Sequence, residues 1–377
     1  MTEYRKSICD EGLGLLDGDE LAHAENKNTL GGVCPSVRVY VVPGITDKLM
    51  RPLRDLRISV TDRCNFRCRY CMPAEIFGED YAYLPKPEML THEEIARLAR
   101  VFCGLGVEKL RVTGGEPLLR RGLNDLIGML KEIPGVRDLA MTTNGTALAR
   151  NAKKLREAGL QRVTVSVDAL DPVIFAQMNG VGATPERVVD GIDSALEHGL
   201  EVKINSVIQK GVNESQILPL AEFARERGVV LRFIEFMDTG NTNGWKLDQV
   251  VPAANILEVL QQLFLLDLVE PNYPGETARR FRYQDLPEQE IGIISSVSKP
   301  FCRDCNRARL SADGQVFTCL FADKGHDMKS VLRSGASDEE LADFVSNLWS
   351  VRDDRYSELR SEMSGVRSKP EMSYIGG

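Results

Sequence analysis

Three cysteines stand within eight residues in the stretch CNFRCRYC: Cys64, Cys68 and Cys71, spaced C-x3-C-x2-C. Three more, Cys302, Cys305 and Cys319, are spaced C-x2-C-x13-C. Thiolates this close together can wrap a small metal centre. A four-iron cluster takes one cysteine per iron, so each triplet would leave one iron without a protein ligand. An open coordination position is what separates a catalytic metal site from a closed structural one. For the first group the alternative is a zinc ion completed by a distant Cys or His. For the second it is a structural zinc site of three cysteines and His326.

Arginines accompany the second group: Arg303, Arg307 and Arg309 lie inside FCRDCNRARLSADGQVFTC. On a strand, Arg307 and Arg309 would point to the same face. Forked guanidiniums on one face suit a phosphate or a carboxylate; a solvated charged strand is the alternative. Of the remaining cysteines, Cys9 and Cys34 fall in the first 50 residues and take no role. Cys103 falls in a predicted helix and reads as a small buried apolar residue.

The elements that must position these groups begin near residue 51. RDLRISVTDR, KLRVTGG, RDLAMTTNG, RVTVSVDAL, EVKINSVIQ and VVLRFIEFM read as strands. THEEIARLARVFCGLG, with Thr91 and Glu94 as a capping box, reads as a helix, as do TALARNAKKLREAGL, PERVVDGIDSALEHGL and QILPLAEFARERG. Strands alternating with helices predict an α/β fold with a parallel sheet and right-handed crossovers. Fully buried parallel strands should be nearly continuous in Val, Ile and Leu. Here polar residues recur at every second position: Arg57, Ser59 and Thr61; Arg111 and Thr113; Thr142 and Asn144; Thr164, Ser166 and Asp168; Lys203 and Asn205. Period two puts each set on one face of its strand. The pattern predicts a shared polar interior, such as a barrel lumen holding a charged ligand; an exposed sheet face is the alternative. Beyond about residue 240 the pattern changes. VPAANILEVLQQLF reads as a helix, RRFRYQ and EIGIISSVS as strands, and NRARLSADGQVFTCL as a hairpin turning at Asp313-Gly314. SDEELADFVSNLWSVRDDRYSELRSEM reads as one helix, followed by the glycine-ended tail SYIGG.

The chain of 377 residues suits one large α/β domain with additions. Its 43% apolar and 27% charged content is that of a globular protein with a real core. The 55 acidic residues outnumber the 47 basic ones, giving a net charge of -8, which argues against bulk electrostatic binding to nucleic acid or anionic membrane. A local basic pocket stays open. No apolar run of about eighteen residues is present, and the acidic start lacks the core of a signal peptide. A cytoplasmic, reducing setting is expected, where clustered cysteines more often bind metal than form disulfides.

CNFRCRYC after a strand, with an aromatic before its last cysteine, resembles the signature of the radical S-adenosylmethionine (radical SAM) enzymes. TGGEP, Thr113 to Pro117, resembles that superfamily's segment against the SAM amino group. From about residue 51 to the end, the chain resembles the GTP 3′,8-cyclase family of molybdenum cofactor biosynthesis. The resemblance implies an incomplete, TIM-like barrel of six β/α units with a C-terminal extension carrying a second cluster. It implies two [4Fe–4S] clusters and SAM as cofactors. A 5′-deoxyadenosyl radical would take the ribose 3′ hydrogen of GTP, and the carbon radical would close onto guanine C8. Carried onto this chain, SAM contacts fall at Tyr70, Gly114, Gly115, Glu116, Ser166 and Met237. GTP contacts fall at Arg57, Arg111, Thr142, Lys203, Arg307, Ala308 (through its backbone) and Arg309. Catalytic roles fall on Arg57, Arg111, Lys203 and the terminal Gly376 and Gly377. Residues 1–50, acidic, glycine-containing and weakly periodic, read as an N-terminal extension, partly disordered or surface-packed, and depart from the resemblance; beyond them the division is the partial barrel at 51–240, the auxiliary-cluster region at 241–340, and a helix and GG tail at 341–377. The implied partners are GTP, cyclic pyranopterin monophosphate synthase downstream, a reductant such as flavodoxin or ferredoxin, and a second copy in a homodimer. A peptide-modifying radical SAM enzyme with an auxiliary cluster, and a non-enzymatic zinc-binding scaffold, are the competing readings.

Overall fold

Residues 44–360 and 369–376 are described by the structure, a computed structural model. Cys9, Cys34, most of the 1–50 extension and Gly377 lie outside them. The six expected strands form as β1 (Asp55–Ser59), β2 (Lys109–Thr113), β3 (Asp138–Thr143), β4 (Arg162–Ser166), β5 (Glu201–Ile208) and β6 (Val230–Glu235). Each runs parallel to the next. The crossovers carry helices α1 (His92–Gly104), α2 (Leu123–Lys131), α3 (Ala152–Glu157), α4 (Pro172–Asn179), α5 (Glu186–Glu197) and α6 (Ile217–Glu226).

Local chemistry accounts for these elements. At the start of α1, Glu94 N–H donates to Thr91 Oγ1 (3.1 Å) and Thr91 N–H to Glu94 Oε2 (2.8 Å), the reciprocal capping box. The helix then buries Ile95, Leu98, Ala99 and Phe102, one apolar stripe at helical spacing. Beneath such helices the strands present Leu56, Ile58, Leu110, Val112, Leu139, Met141, Val163, Val165, Val202 and Ile204, none more than 4% exposed. Each such aliphatic contributes roughly 1.5–3 kcal/mol by leaving water. The opposite face of the same strands carries the polar residues. Ser59, Arg111, Thr113 and Thr164 are buried too, so that face looks into an interior rather than into solvent.

The later segments extend this sheet at both flanks. α7 (Ala253–Gln261) leads to β7 (Leu266–Val269), β8 (Arg279–Tyr283), β9 (Leu286–Ile294), β10 (Arg307–Leu310), β11 (Gln315–Phe317) and β12 (His326–Asp327). The order is β12-β11-β10-β1-β2-β3-β4-β5-β6-β9-β8-β7. β10 adds to β1 and β9 to β6, both parallel. The flanks continue into antiparallel pairs rather than joining each other, so the barrel stays incomplete. β10 and β11 make the expected hairpin around Asp313-Gly314.

Two helices differ from the reading of the sequence. In TALARNAKKLREAGL only Ala152–Glu157 is α-helical. Ahead of it, Thr146 N–H donates to Asn144 Oδ1 (3.1 Å), a local side-chain turn that competes with helix. The last long helix is divided into α9 (Asp338–Ser350) and α10 (Tyr356–Leu359), with α8 (Met328–Arg333) before them and α11 (Met372–Ile375) after. The break falls where Arg352 turns inward to donate to the carbonyls of Thr318 (3.0 Å) and Cys305 (2.9 Å). No helix among the described residues is long and apolar enough to cross a membrane.

Candidate active site

The first cysteine triplet sits on the loop that follows β1. Two glycines at the end of β2 make room for it. Gly114 has φ 146°, and a Cβ there would stand 2.5 Å from Thr61 O. A Cβ on Gly115 would stand 2.3 Å from Arg63 O. Only glycine lets the two backbones meet this closely, and Gly115 N–H donates to Thr61 O (2.7 Å). Arg67 braces the loop from within, donating to Phe77 O (2.6 Å) and Cys64 O (2.8 Å). Glu116, next in the motif, is 1% exposed. Its carboxylate accepts from Leu118 N–H (3.0 Å), Thr143 O–H (2.8 Å) and Asn144 N–H (2.7 Å). It ties the end of β2 to the end of β3 and lies off the cavity wall described next.

The second triplet brackets β10 and β11. Cys302 and Cys305 precede β10 and Cys319 follows β11. β10 runs parallel to β1 with Asp55 opposite Arg307. The first triplet follows the end of β1, whereas Cys305 precedes the start of its parallel neighbour. The register therefore sets the two triplets at opposite ends of the barrel strands. All six cysteines nevertheless line one cavity of about 310 Å3. His326 is exposed on β12, away from that wall. Among the described residues, no three His, Cys, Asp or Glu side chains are drawn into the shell of a single ion.

Of the residues expected to contact SAM, Tyr70, Gly114, Gly115, Ser166 and Met237 line this cavity. Tyr70 donates to Asp168 Oδ2 (2.7 Å). Of those expected to contact GTP, Arg57, Arg111, Thr142, Arg307 and Arg309 line it. Lys203 shares a strand face with Asn205, but its Nζ lies 3.0 Å from Glu201 and off the wall. The Ala308 side chain, 1% exposed, points to the core between its two arginines. Gly376 accepts a hydrogen bond from Arg309 through its carbonyl. Its φ is 78°, and a Cβ there would press to 2.3 Å from Thr113 Cγ2. Gly377 lies outside the described residues.

The register lays three cations in a row, Arg309 beside Arg57 beside Arg111, and sets Arg232 beside the amide of Asn205. Burial, then repulsion from the other arginines, holds Arg57 well below its usual range and brings Arg232 down to about 9. Arg309 falls to about 10, again through burial first and then Arg307. Nε of Arg57, Arg111 and Arg232, Oγ1 of Thr142 and Oδ1 of Asn205 and Asp55 are buried without a hydrogen-bond partner, all from residues lining the cavity. Buried donors are normally satisfied. Cations crowded together with idle donors describe a place for a polyanion. Burial raises the thiol of Cys64 to about 11 and that of Cys319 to about 12. Burial acts on Cys305 likewise, but the charges of Arg307 and Arg352 reverse it and bring that thiol down to about 7.

Two cavity cations escaped the reading of the sequence, Lys109 and Arg232. Both keep the period-two pattern. Lys109 stands two residues before Arg111 on β2, and Arg232 pairs with Asn205 across β5 and β6.

Comparison with known proteins agrees with this geometry. Residues 58–224 match the Radical SAM superfamily profile, and residues 229–358 match the profile described as Molybdenum Cofactor Synthesis C. The chain is 52% identical over 359 residues to the GTP 3′,8-cyclase of Acidothermus cellulolyticus, covering 88% of this chain and 99% of that one. It is 50% identical over 341 residues to the GTP 3′,8-cyclase of Staphylococcus haemolyticus, covering 89% and 100%. The fold is similar to SuiB of Streptococcus suis, crystallised with S-adenosylmethionine, at a TM-score of 0.56 and 15% identity over 82% of this chain and 68% of that one. At identities near half over nearly their full length, the chain belongs to the GTP 3′,8-cyclase family of radical SAM enzymes.

Proposed function

We propose that this chain converts GTP to (8S)-3′,8-cyclo-7,8-dihydroguanosine 5′-triphosphate, the first step of molybdenum cofactor biosynthesis. One observation carries the reading: two three-cysteine sets and a bed of buried cations, three of them with an unpartnered Nε, share a single cavity. The donor sets fit iron–sulfur clusters, which take thiolates, one per iron, and leave one iron open where three are supplied. Cys64, Cys68 and Cys71 would hold the SAM cluster, and Cys302, Cys305 and Cys319 the auxiliary one. Bound there with SAM, the first cluster would supply the 5′-deoxyadenosyl radical chemistry by which the ribose 3′ hydrogen of GTP is removed.

The chain's own part is orientation and charge. Tyr70, Gly114, Gly115, Ser166 and Met237 seat SAM at the end of the barrel that bears the first triplet. Arg57, Arg111, Thr142, Arg307 and Arg309, joined by Lys109 and Arg232, take up the triphosphate between the two ends. Guanine then faces the second triplet, with Ala308 contributing its main chain. Lys203 supplies a further cation when it leaves Glu201. The tail ending in Gly376 and Gly377 borders the reacting groups through Arg309. The balance is as follows: one electron is consumed in cleaving SAM to methionine, one hydrogen atom leaves C3′ into 5′-deoxyadenosine, the C3′–C8 bond forms, and a second electron and one proton complete the ring. The product is an isomer of GTP. We assign both electrons to a reductant such as flavodoxin or ferredoxin and the product to cyclic pyranopterin monophosphate synthase. The setting is a cytoplasmic homodimer. The division into extension, barrel at 51–240, auxiliary region at 241–340 and tail stands as part of the same proposal.

The test is anaerobic incubation of the reconstituted protein with SAM, dithionite and GTP. The expected result is a new compound of GTP's mass with altered chromatography and a C3′–C8 bond by NMR. SAM cleavage with GTP recovered unchanged would overturn the proposal.

A further inference from the structure

Behind the second triplet, outside the cavity wall, lie three charged side chains that the chemistry above does not use. Asp47, Arg51 and Arg352 are 0%, 2% and 1% exposed. Asp47 Oδ2 accepts from Arg51 Nε (2.6 Å) and from Arg352 Nη1 (2.8 Å). Its Oδ1 accepts from the backbone N–H of Leu49 and of Arg51, each at 2.9 Å. The two guanidiniums then reach outward to carbonyls. Arg51 Nη1 donates to Cys302 O (2.6 Å) and Asp354 O (2.8 Å). Arg352 donates to Cys305 O through Nη1 (2.9 Å) and to Thr318 O through Nε (3.0 Å). Thr318 is the residue before Cys319. One buried carboxylate, acting through two arginines, thus grips the main chain at or next to every cysteine of the second set.

The surroundings over-determine this arrangement. Trp349 Nε1 donates to Arg51 O (3.0 Å), and the Arg352 guanidinium lies 4.5 Å from the Trp349 ring centroid. Met50, inside the turn that Asp47 closes, has φ 60°, the one non-glycine in that region among the described residues. Such strain persists only where neighbouring contacts hold it. Stability alone is a weak reason for a buried ion triad, since desolvation offsets most of the attraction. Groups behind a metal's ligands, by contrast, set ligand orientation.

We propose that Asp47, with Arg51 and Arg352, is the positioning device of the second triplet, fixing the spacing at which Cys302, Cys305 and Cys319 hold their cluster. The proposal rests on reading that triplet as a cluster site. The wild type, Asp47→Asn, Arg352→Lys and Cys302→Ser chains are reconstituted anaerobically with iron and sulfide. Iron and sulfide per chain are measured, then followed during challenge with a chelator. The EPR spectrum of the reduced protein, with and without SAM, reports the first cluster separately. The expected result is a SAM-dependent signal equal in all four chains. The iron missing from Cys302→Ser is lost from Asp47→Asn about ten- to a hundredfold faster than from wild type, with Arg352→Lys between them. Loss of both clusters at one common raised rate, or loss of neither, overturns the proposal. If Asp47→Asn fails to fold, the same comparison is made on Arg352→Lys, which keeps the charge but not the double donation. If Cys302→Ser holds as much iron as wild type, the cluster reading itself falls, and the proposal with it.

Discussion

Arg57, Arg111 and Arg232 each bury an Nε that nothing in the folded chain accepts. A charged donor left so is worth about 1.5–3 kcal/mol once a partner arrives, which is about ten- to a hundredfold in affinity per residue. Arg232→Ala is therefore expected to keep the iron of both triplets and to weaken GTP binding by about that factor, and Arg307→Ala, which removes a guanidinium from the same cavity wall, is expected to do likewise. Equilibrium dialysis with GTP measures it; unchanged binding in either variant would put the triphosphate elsewhere. The two differ in how visible they were. Arg307 and Arg309 flank one residue beside a cysteine pair, so spacing alone singled them out. Arg232 sits in VVLRFIEFM between large apolar residues, and only its pairing with Asn205 reveals that it faces the cavity. Glu116 shows the converse. Its place in TGGEP pointed to the ligand, whereas its carboxylate is spent on the backbone and hydroxyl of neighbouring segments.

Among the elements, those set by local chemistry were legible. The capping box of α1, the alternation of strand and helix, and the polar face at every second residue all follow from short-range pattern. The parallel addition of β10 to β1 did not, because it joins residues about 250 positions apart in the chain and no local signal encodes such a pairing. The break between α9 and α10 was hidden for a related reason: Arg352 leaves the helix for carbonyls on distant segments. α11 is short, yet it places Gly376 against Thr113 and Arg309. Gly376→Ala would force a methyl into Thr113 at a φ of 78° that alanine resists. The expected outcome is unchanged thermal stability and iron content, with GTP turnover down by about a hundredfold, the scale of a 1 Å misplacement near reacting groups. Turnover equal to wild type would remove the tail from the site.

The whole molecule carries a net charge of -8 and still sets six cations, Arg57, Lys109, Arg111, Arg232, Arg307 and Arg309, on the wall of one cavity. Its C-terminal segment is fastened to Asp238, in the loop after β6, by another charge cluster. Asp238 accepts from Tyr356 O–H (2.6 Å), Arg360 Nε (2.9 Å) and Lys369 Nζ (3.0 Å). Burial works to raise its carboxyl, but the Tyr356 hydrogen bond and the charges of Arg360 and Lys369 outweigh burial and leave it below 3.8. A carboxyl lowered on folding stabilises the protein above its unfolded value, and that contribution is lost as pH falls through the folded value. Asp238→Asn is expected to cost about 1–3 kcal/mol at neutral pH. The gap from wild type, read by denaturant unfolding, should stay level from about pH 8 to about pH 5 and close below about pH 4. A gap that widens toward acid would contradict the assignment. The central claim is that both triplets and the cation bed serve one nucleotide. The most direct measurement is 5′-deoxyadenosine release by the anaerobically reconstituted protein, given SAM and dithionite with each of the four ribonucleoside triphosphates in turn. A burst with GTP alone is expected; release at the same slow rate with all four, or with none, would overturn a shared nucleotide site.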